Sequence, residues 1–80
     1  HLGDTWEAKD LLERALIIQE RICGYDHSVV ANTLLNLGGI YLDLGDPIKA
    51  KTVCERALQI LEHNYGPKHH QVAKTLMNLG

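Results

Sequence analysis

The sequence predicts an all-α chain, built from antiparallel helix hairpins stacked on one another as a piece of a solenoid. Three observations predict this: an internal repeat, apolar residues at helical spacing within each copy, and the same turn residues at matching places in both copies. Shifted by 42 positions, the chain lays LGD at 2–4 over LGD at 44–46, ERAL at 13–16 over ERAL at 55–58, and NLG at 36–38 over NLG at 78–80. Of the 38 aligned pairs 20 are identical, well beyond accident. Repeats of roughly 20 to 50 residues mark units that bury their apolar faces against their neighbours.

Taken in order, the first helix is expected over about 5–22. Gly3-Asp4 precedes it, and Asp4 with Glu7 three residues on reads as a capping box. The second is expected over 27–44, because Val30, Leu34, Leu37, Tyr41 and Leu44 recur at alternating intervals of four and three. A strand would need strict alternation, which is absent. Gly45-Asp46-Pro47 then supplies a left-handed C′ residue, an N-cap and an N1 proline in succession, and so short a turn forces an antiparallel hairpin. A third helix follows over 47–64, lined by Ala50, Val53, Cys54, Ala57, Leu58 and Leu61, until Gly66-Pro67 breaks it. A fourth is expected over 69–80. On this reading residues 1–80 form one solenoid fragment that starts in a second helix without its first and stops in a first helix without its second.

Small residues in helix interiors need a reason, since glycine costs about 0.8–1 kcal/mol there relative to alanine. Gly38 is expected to face the partner helix near Ala50 and to let the two axes approach, with Ala57 making room where the next repeat packs. Gly39 either leaves space on the inner side or lets a ligand pass close. Trp6 aligns with Ile48 and either completes an apolar contact at the turn or lies on an exposed surface.

Composition excludes several classes. Eight Lys and Arg against ten Asp and Glu give a formal net charge of −2, which suggests no nucleic-acid surface. No apolar run is long enough to cross a bilayer, and the chain does not open on the basic-then-apolar pattern of a secretory leader. Cys23 and Cys54 lack a CxxC pair and sit in apolar helical stretches, so both are expected as free, small hydrophobes in a cytoplasmic protein. His63, His69 and His70 show no metal-ligand spacing. The Gly38-Gly39 pair lies inside a helix rather than between strand and helix, so it is no phosphate cradle. Asp43 and Asp46 flank a turn with no nucleophile beside them, and Tyr41 is expected in the core. An enzyme, a cofactor and a metal are therefore not expected.

The run Leu34, Leu37-Gly38, Tyr41, Ala50, Cys54 and Ala57 resembles the tetratricopeptide signature W-x2-L-G-x2-Y followed by A-x3-F and a later alanine. Leu34 and Cys54 stand where larger aromatics are usual. The 42-residue period is longer than the ordinary repeat of about 34; with LxxLGxxYLDLGD, ERALxI and the stretch from Gly66-Pro67 to Leu76, it is similar to the long-helix repeats of kinesin light chains and related multidomain proteins.

The resemblance implies a right-handed superhelix whose first helices line a concave face that binds a peptide or partner protein. By motif position the contact residues would be Asn32, Leu35, Asn36, Gly39, Leu42 and Asp43, then Lys74, Met77 and Asn78 one repeat later. Asn36 and Asn78 form either a ladder of amides for a peptide backbone or neutral surface; Lys74 is either a point charge for an acidic segment or a solvated lysine. Chaperone-tail clamps want lysine and asparagine where Leu35 and Gly39 stand, which argues against strong recognition of a tail carboxylate; the resemblance leaves room instead for cargo or adaptor peptides of acidic and aromatic character. The alternative is a spacer that positions neighbouring domains. No nucleic-acid or membrane partner is implied. End-to-end self-association is expected between Ala8, Leu12 and Ala15 at one end and Val72, Leu76 and Leu79 at the other.

Overall fold

A computed structural model describes residues 2–65, the side chain of Leu2 excepted. It holds three helices, α1 (Leu2–Cys23), α2 (Ser28–Asp43) and α3 (Pro47–Tyr65), and no strand among the described residues. α2 is the middle element, packed by α1 on one side and by α3 on the other. The fold class expected from the repeat is the one observed.

Two glycines set the turns. Gly24 closes α1 at a positive φ of 92°, with its amide donating to the Glu20 carbonyl at 3.2 Å. His27 then caps α2 in an extended conformation, its Nδ1 accepting from the Val29 amide at 3.1 Å. Nδ1 can accept only as an unprotonated nitrogen, which places the proton of a neutral ring on Nε2. The second turn is the one the sequence spells out. Gly45 has φ 79°, its amide donates to the Leu42 carbonyl at 3.0 Å, and the Asp46 amide donates to the Tyr41 carbonyl at 2.8 Å. That pair of bonds is a Schellman closure. Asp46 next caps α3, its Oδ1 accepting from the Lys49 amide at 3.1 Å.

α1 departs from expectation at its start. It begins at Leu2, so Asp4 lies in the first turn instead of at the cap; its charge there still favours the positive end of the helix dipole. The expected helix over 69–80 lies outside the described residues.

The core follows the predicted stripes with three corrections. Val30, Ala31 and Leu34 meet Ala57, Ile60 and Leu61 in one cluster, and Leu37, Tyr41 and Ala50 form the other. Ile60 is buried where Leu58 was expected, and Leu58 packs half-buried against the first cluster. Leu12, expected on the open side of α1, instead packs on the Leu37–Tyr41 cluster. Cys23 is exposed while Cys54 is buried. Trp6 is exposed, with the Lys9 ammonium 5.6 Å from its ring centre.

Gly38 draws α2 onto α3. A Cβ at that position would stand 2.7 Å from Cys54 Sγ, well inside contact distance. Polar pairs then fix the helices against sliding. The Tyr41 hydroxyl donates to Glu13 Oε2 at 2.7 Å, and the buried Thr33 hydroxyl donates to Gln19 Oε1 at 2.6 Å. Arg56 meets Glu20 at 2.6 Å across the α1–α3 gap, and Asn64 donates to the Asp26 carbonyl at 2.7 Å. Burial and the neighbouring carboxylate push the Tyr41 pKa up to about 12. The hydrogen bond from Tyr41, helped by Lys9, holds the Glu13 carboxyl below its ordinary value against the opposing effect of burial.

Candidate functional site

Asn32, Leu35, Asn36, Gly39, Leu42 and Asp43 fall at steps of one, three or four, which in α2 places them on a single face. The opposite face is the buried one, carrying Val30, Leu34, Leu37 and Tyr41. Leu35 is half-buried; the other five are exposed. Lys74, Met77 and Asn78 lie outside the described residues.

Leu35, Gly39 and Leu42 line a groove of about 400 Å³ between α2 and α3, within the roughly 300–1,000 Å³ range of ligand clefts. Asn32, Asn36 and Asp43 share the helix face but stand outside the groove. Its far wall is α3, through Pro47, Ala50, Lys51 and Cys54, and that wall has no counterpart among the sequence-based candidates. The signal was present: positions 47, 50, 51 and 54 follow helical spacing and flank the residues that meet Gly38. Ala50 and Cys54 read as core, and they are core residues whose edges also face the groove.

Two adjacent glycines shape the trough for different reasons. Gly38 brings the walls together by omitting a side chain where Cys54 sits. Gly39 keeps the trough open, since nothing lies within 4 Å of where its Cβ would be. The lining is mostly aliphatic, with a single charged side chain, Lys51, at the rim. Its ammonium is 3.9 Å from Glu55, and both side chains are well exposed, so the pair is weak and readily exchanged for another carboxylate. Burial pushes the Cys54 thiol up, which keeps it protonated and makes it an apolar wall in place of a nucleophile. The arrangement suits a side chain inserted between two helices, with a carboxylate received at one edge.

Among the described residues, no group of three His, Cys, Asp or Glu side chains is placed to hold a metal ion. His63 is exposed in the last turn of α3, and His69 and His70 lie outside the described residues. No described helix is long and apolar enough to cross a membrane.

A search of curated proteins finds no match to the chain. A family model described as tetratricopeptide repeat matches it twice, over residues 1–52 and over residues 29–80. The two matches together span the whole sequence, and they cover the same hairpin that the Gly38 contact and the Gly45-Asp46 turn build. This chain belongs to the tetratricopeptide repeat family, whose helical repeats serve as scaffolds for protein–protein interaction.

Proposed function

We infer that the chain is a peptide-binding scaffold, and that the groove between α2 and α3 receives an apolar or aromatic side chain of an extended partner segment. The observation that carries this reading is the solvent-open trough over Gly39, walled by Leu35, Leu42 and Cys54 and edged by Lys51. The exposed amides of Asn32 and Asn36 stand on the same helix face, within the reach of a backbone laid along α2. Lys51 gives the ligand its second requirement, an acidic residue beside the inserted side chain. The sequence likeness to kinesin light chain repeats supports the same ligand class, that of a cargo or adaptor peptide met in the cytoplasm. Lys74, Met77 and Asn78 would extend the contact by one repeat.

Gly39→Leu provides the test, because the fold has room for the new side chain and the groove does not keep room for both it and a ligand. Fluorescence anisotropy with labelled acidic-aromatic peptides should show binding by the native chain. Gly39→Leu should weaken it at least about tenfold with helical content unchanged, and Lys51→Glu should shift preference away from acidic peptides. Replacing Asn36, Lys74 and Asn78 together by alanine tests the wider face in the same assay. A chain that binds no such peptide, or binds equally after Gly39→Leu, is a spacer between domains.

A further inference from the structure

Lys51 is the single charged side chain that lines the groove. Among the described residues its one carboxylate partner is Glu55, 3.9 Å away, with the two side chains 71% and 53% exposed. The Arg56–Glu20 pair is built differently: it closes to 2.6 Å, its side chains are only 34% and 15% exposed, and it ties α3 to α1. Lys51 and Glu55 lie one turn apart on the same helix and tie no second element to it. Their order adds little to the helix either, since a lysine four residues before a glutamate is the weaker arrangement. A loose pair that stabilises so little, set at the edge of a groove, is free to trade partners.

α2 and α3 run antiparallel about the Gly45-Asp46 turn, so Leu42 and Pro47 line the end of the groove near the turn, and Leu35 and Cys54 line the far end. Lys51 falls between the two ends. Glu55 follows Cys54 and stands outside the lining, just past the far end. Four helical residues carry Glu55 about 6 Å beyond Lys51 along α3. In an extended segment the side chains at i and i+2 point the same way and lie about 6.6 Å apart, so the two charges match alternate residues of such a ligand. The residue between them turns away from α3, toward Leu35 and Gly39. Resting on the peptide-binding reading of the groove, we propose that Glu55 determines its specificity: the preferred segment carries an acidic residue on one side of the inserted side chain, at Lys51, and a basic residue on the other, at Glu55. A second acid in place of the base meets Glu55 as a like charge. A run of acidic residues is therefore a poor ligand, although Lys51 alone would accept it.

Fluorescence anisotropy with three labelled peptides tests this. Each carries aspartate and then tryptophan in an otherwise neutral sequence, and the residue after the tryptophan is lysine, glutamine or glutamate. Each is also made in the reverse order, because a segment can run either way along the groove. In the tighter-binding order, at low salt, the native chain should prefer lysine over glutamine and glutamine over glutamate by about two- to fivefold at each step. The spread should narrow as salt is added. Glu55→Gln should erase the preference and Glu55→Lys should reverse it, with circular dichroism unchanged in both. Binding that Gly39→Leu abolishes, but that shows no preference at the variable residue or a preference surviving Glu55→Gln, overturns this proposal and leaves the groove reading standing. Absence of binding by the native chain, or binding indifferent to Gly39→Leu, overturns both.

Discussion

Gly38 and Gly39 are neighbours in one helix, and replacement by alanine should stabilise the chain at Gly39 but not at Gly38. Either substitution gains about 0.8–1 kcal/mol from helix propensity alone. At Gly39 nothing lies within 4 Å of the new methyl, so the full gain of about 1 kcal/mol should appear. At Gly38 the methyl meets Cys54 Sγ at 2.7 Å, roughly 1 Å inside ordinary contact, and overpacking of this kind costs about 1–3 kcal/mol. Gly38→Ala should therefore range from neutral to about 2 kcal/mol destabilising. The obstacle is one atom, so Cys54→Ala should lift it: the next neighbours, Val53 Cγ2 at 3.5 Å and the Ala50 carbonyl at 3.7 Å, are at ordinary contact. Cys54→Ala alone should cost about 0.5–1.5 kcal/mol, as other one-atom core deletions do. In its background Gly38→Ala should become stabilising, giving a coupling of about 1–3 kcal/mol in the double-mutant cycle. Urea unfolding followed by circular dichroism at constant m-value measures all four species. Additive effects, or a Gly38→Ala gain equal to that of Gly39→Ala with Cys54 intact, would show that the thiol turns aside and that Gly38 does not set the helix spacing.

Tyr41→Phe removes a hydrogen bond to a carboxylate and should cost about 1.5–3 kcal/mol. Its pH signature has a definite sign. With the folded pKa raised to about 12 from an unfolded value near 10, the Tyr41 contribution should be whole below pH about 10 and be lost as pH rises towards 12. On the acid side the lowered Glu13 pKa contributes fully above the ordinary carboxylate value, and that contribution is lost as pH falls below it and through the lowered folded value. Thermal melts across pH should show both falls in the native chain and weaker ones in Tyr41→Phe. At the second turn, Asp46→Ala should cost about 1 kcal/mol through the lost cap, whereas Gly45→Ala should cost about 1–2 kcal/mol because a Cβ is strained at φ 79°. Asp46→Asn should recover most of the first loss and nothing of the second in the same melts.

The Gly45-Asp46-Pro47 turn was legible from sequence because its chemistry is local: a left-handed residue, a cap and a fixed φ act within a few positions of one another. Gly38 was legible for a related reason, since a glycine inside a strong helical stripe needs a close neighbour, and the stripe says on which side. Asp4 misled because a cap signal competes with the residues before it, and the helix continues back to Leu2. The polar ties were not legible. Glu13, Gln19 and Glu20 look like ordinary surface residues of α1, and only the rotation of that helix against α2 and α3 brings them to Tyr41, Thr33 and Arg56. The groove was half legible. Its α2 side follows from motif position, but its α3 side depends on how far Ala50 and Cys54 protrude once Gly38 has pulled the helices together, and that distance is not a property of either segment by itself.

Tyr41 serves all three helices at once. Its carbonyl closes the end of α2, its ring lies 5.7 Å from the Lys49 ammonium at the start of α3, and its hydroxyl reaches Glu13 on α1. Peeling α1 away would strip the hydroxyl of its acceptor, and opening the turn would release the ring, so either event weakens the other. Amides near the turn and amides in the middle of α1 should therefore exchange through one shared opening event instead of two separate ones.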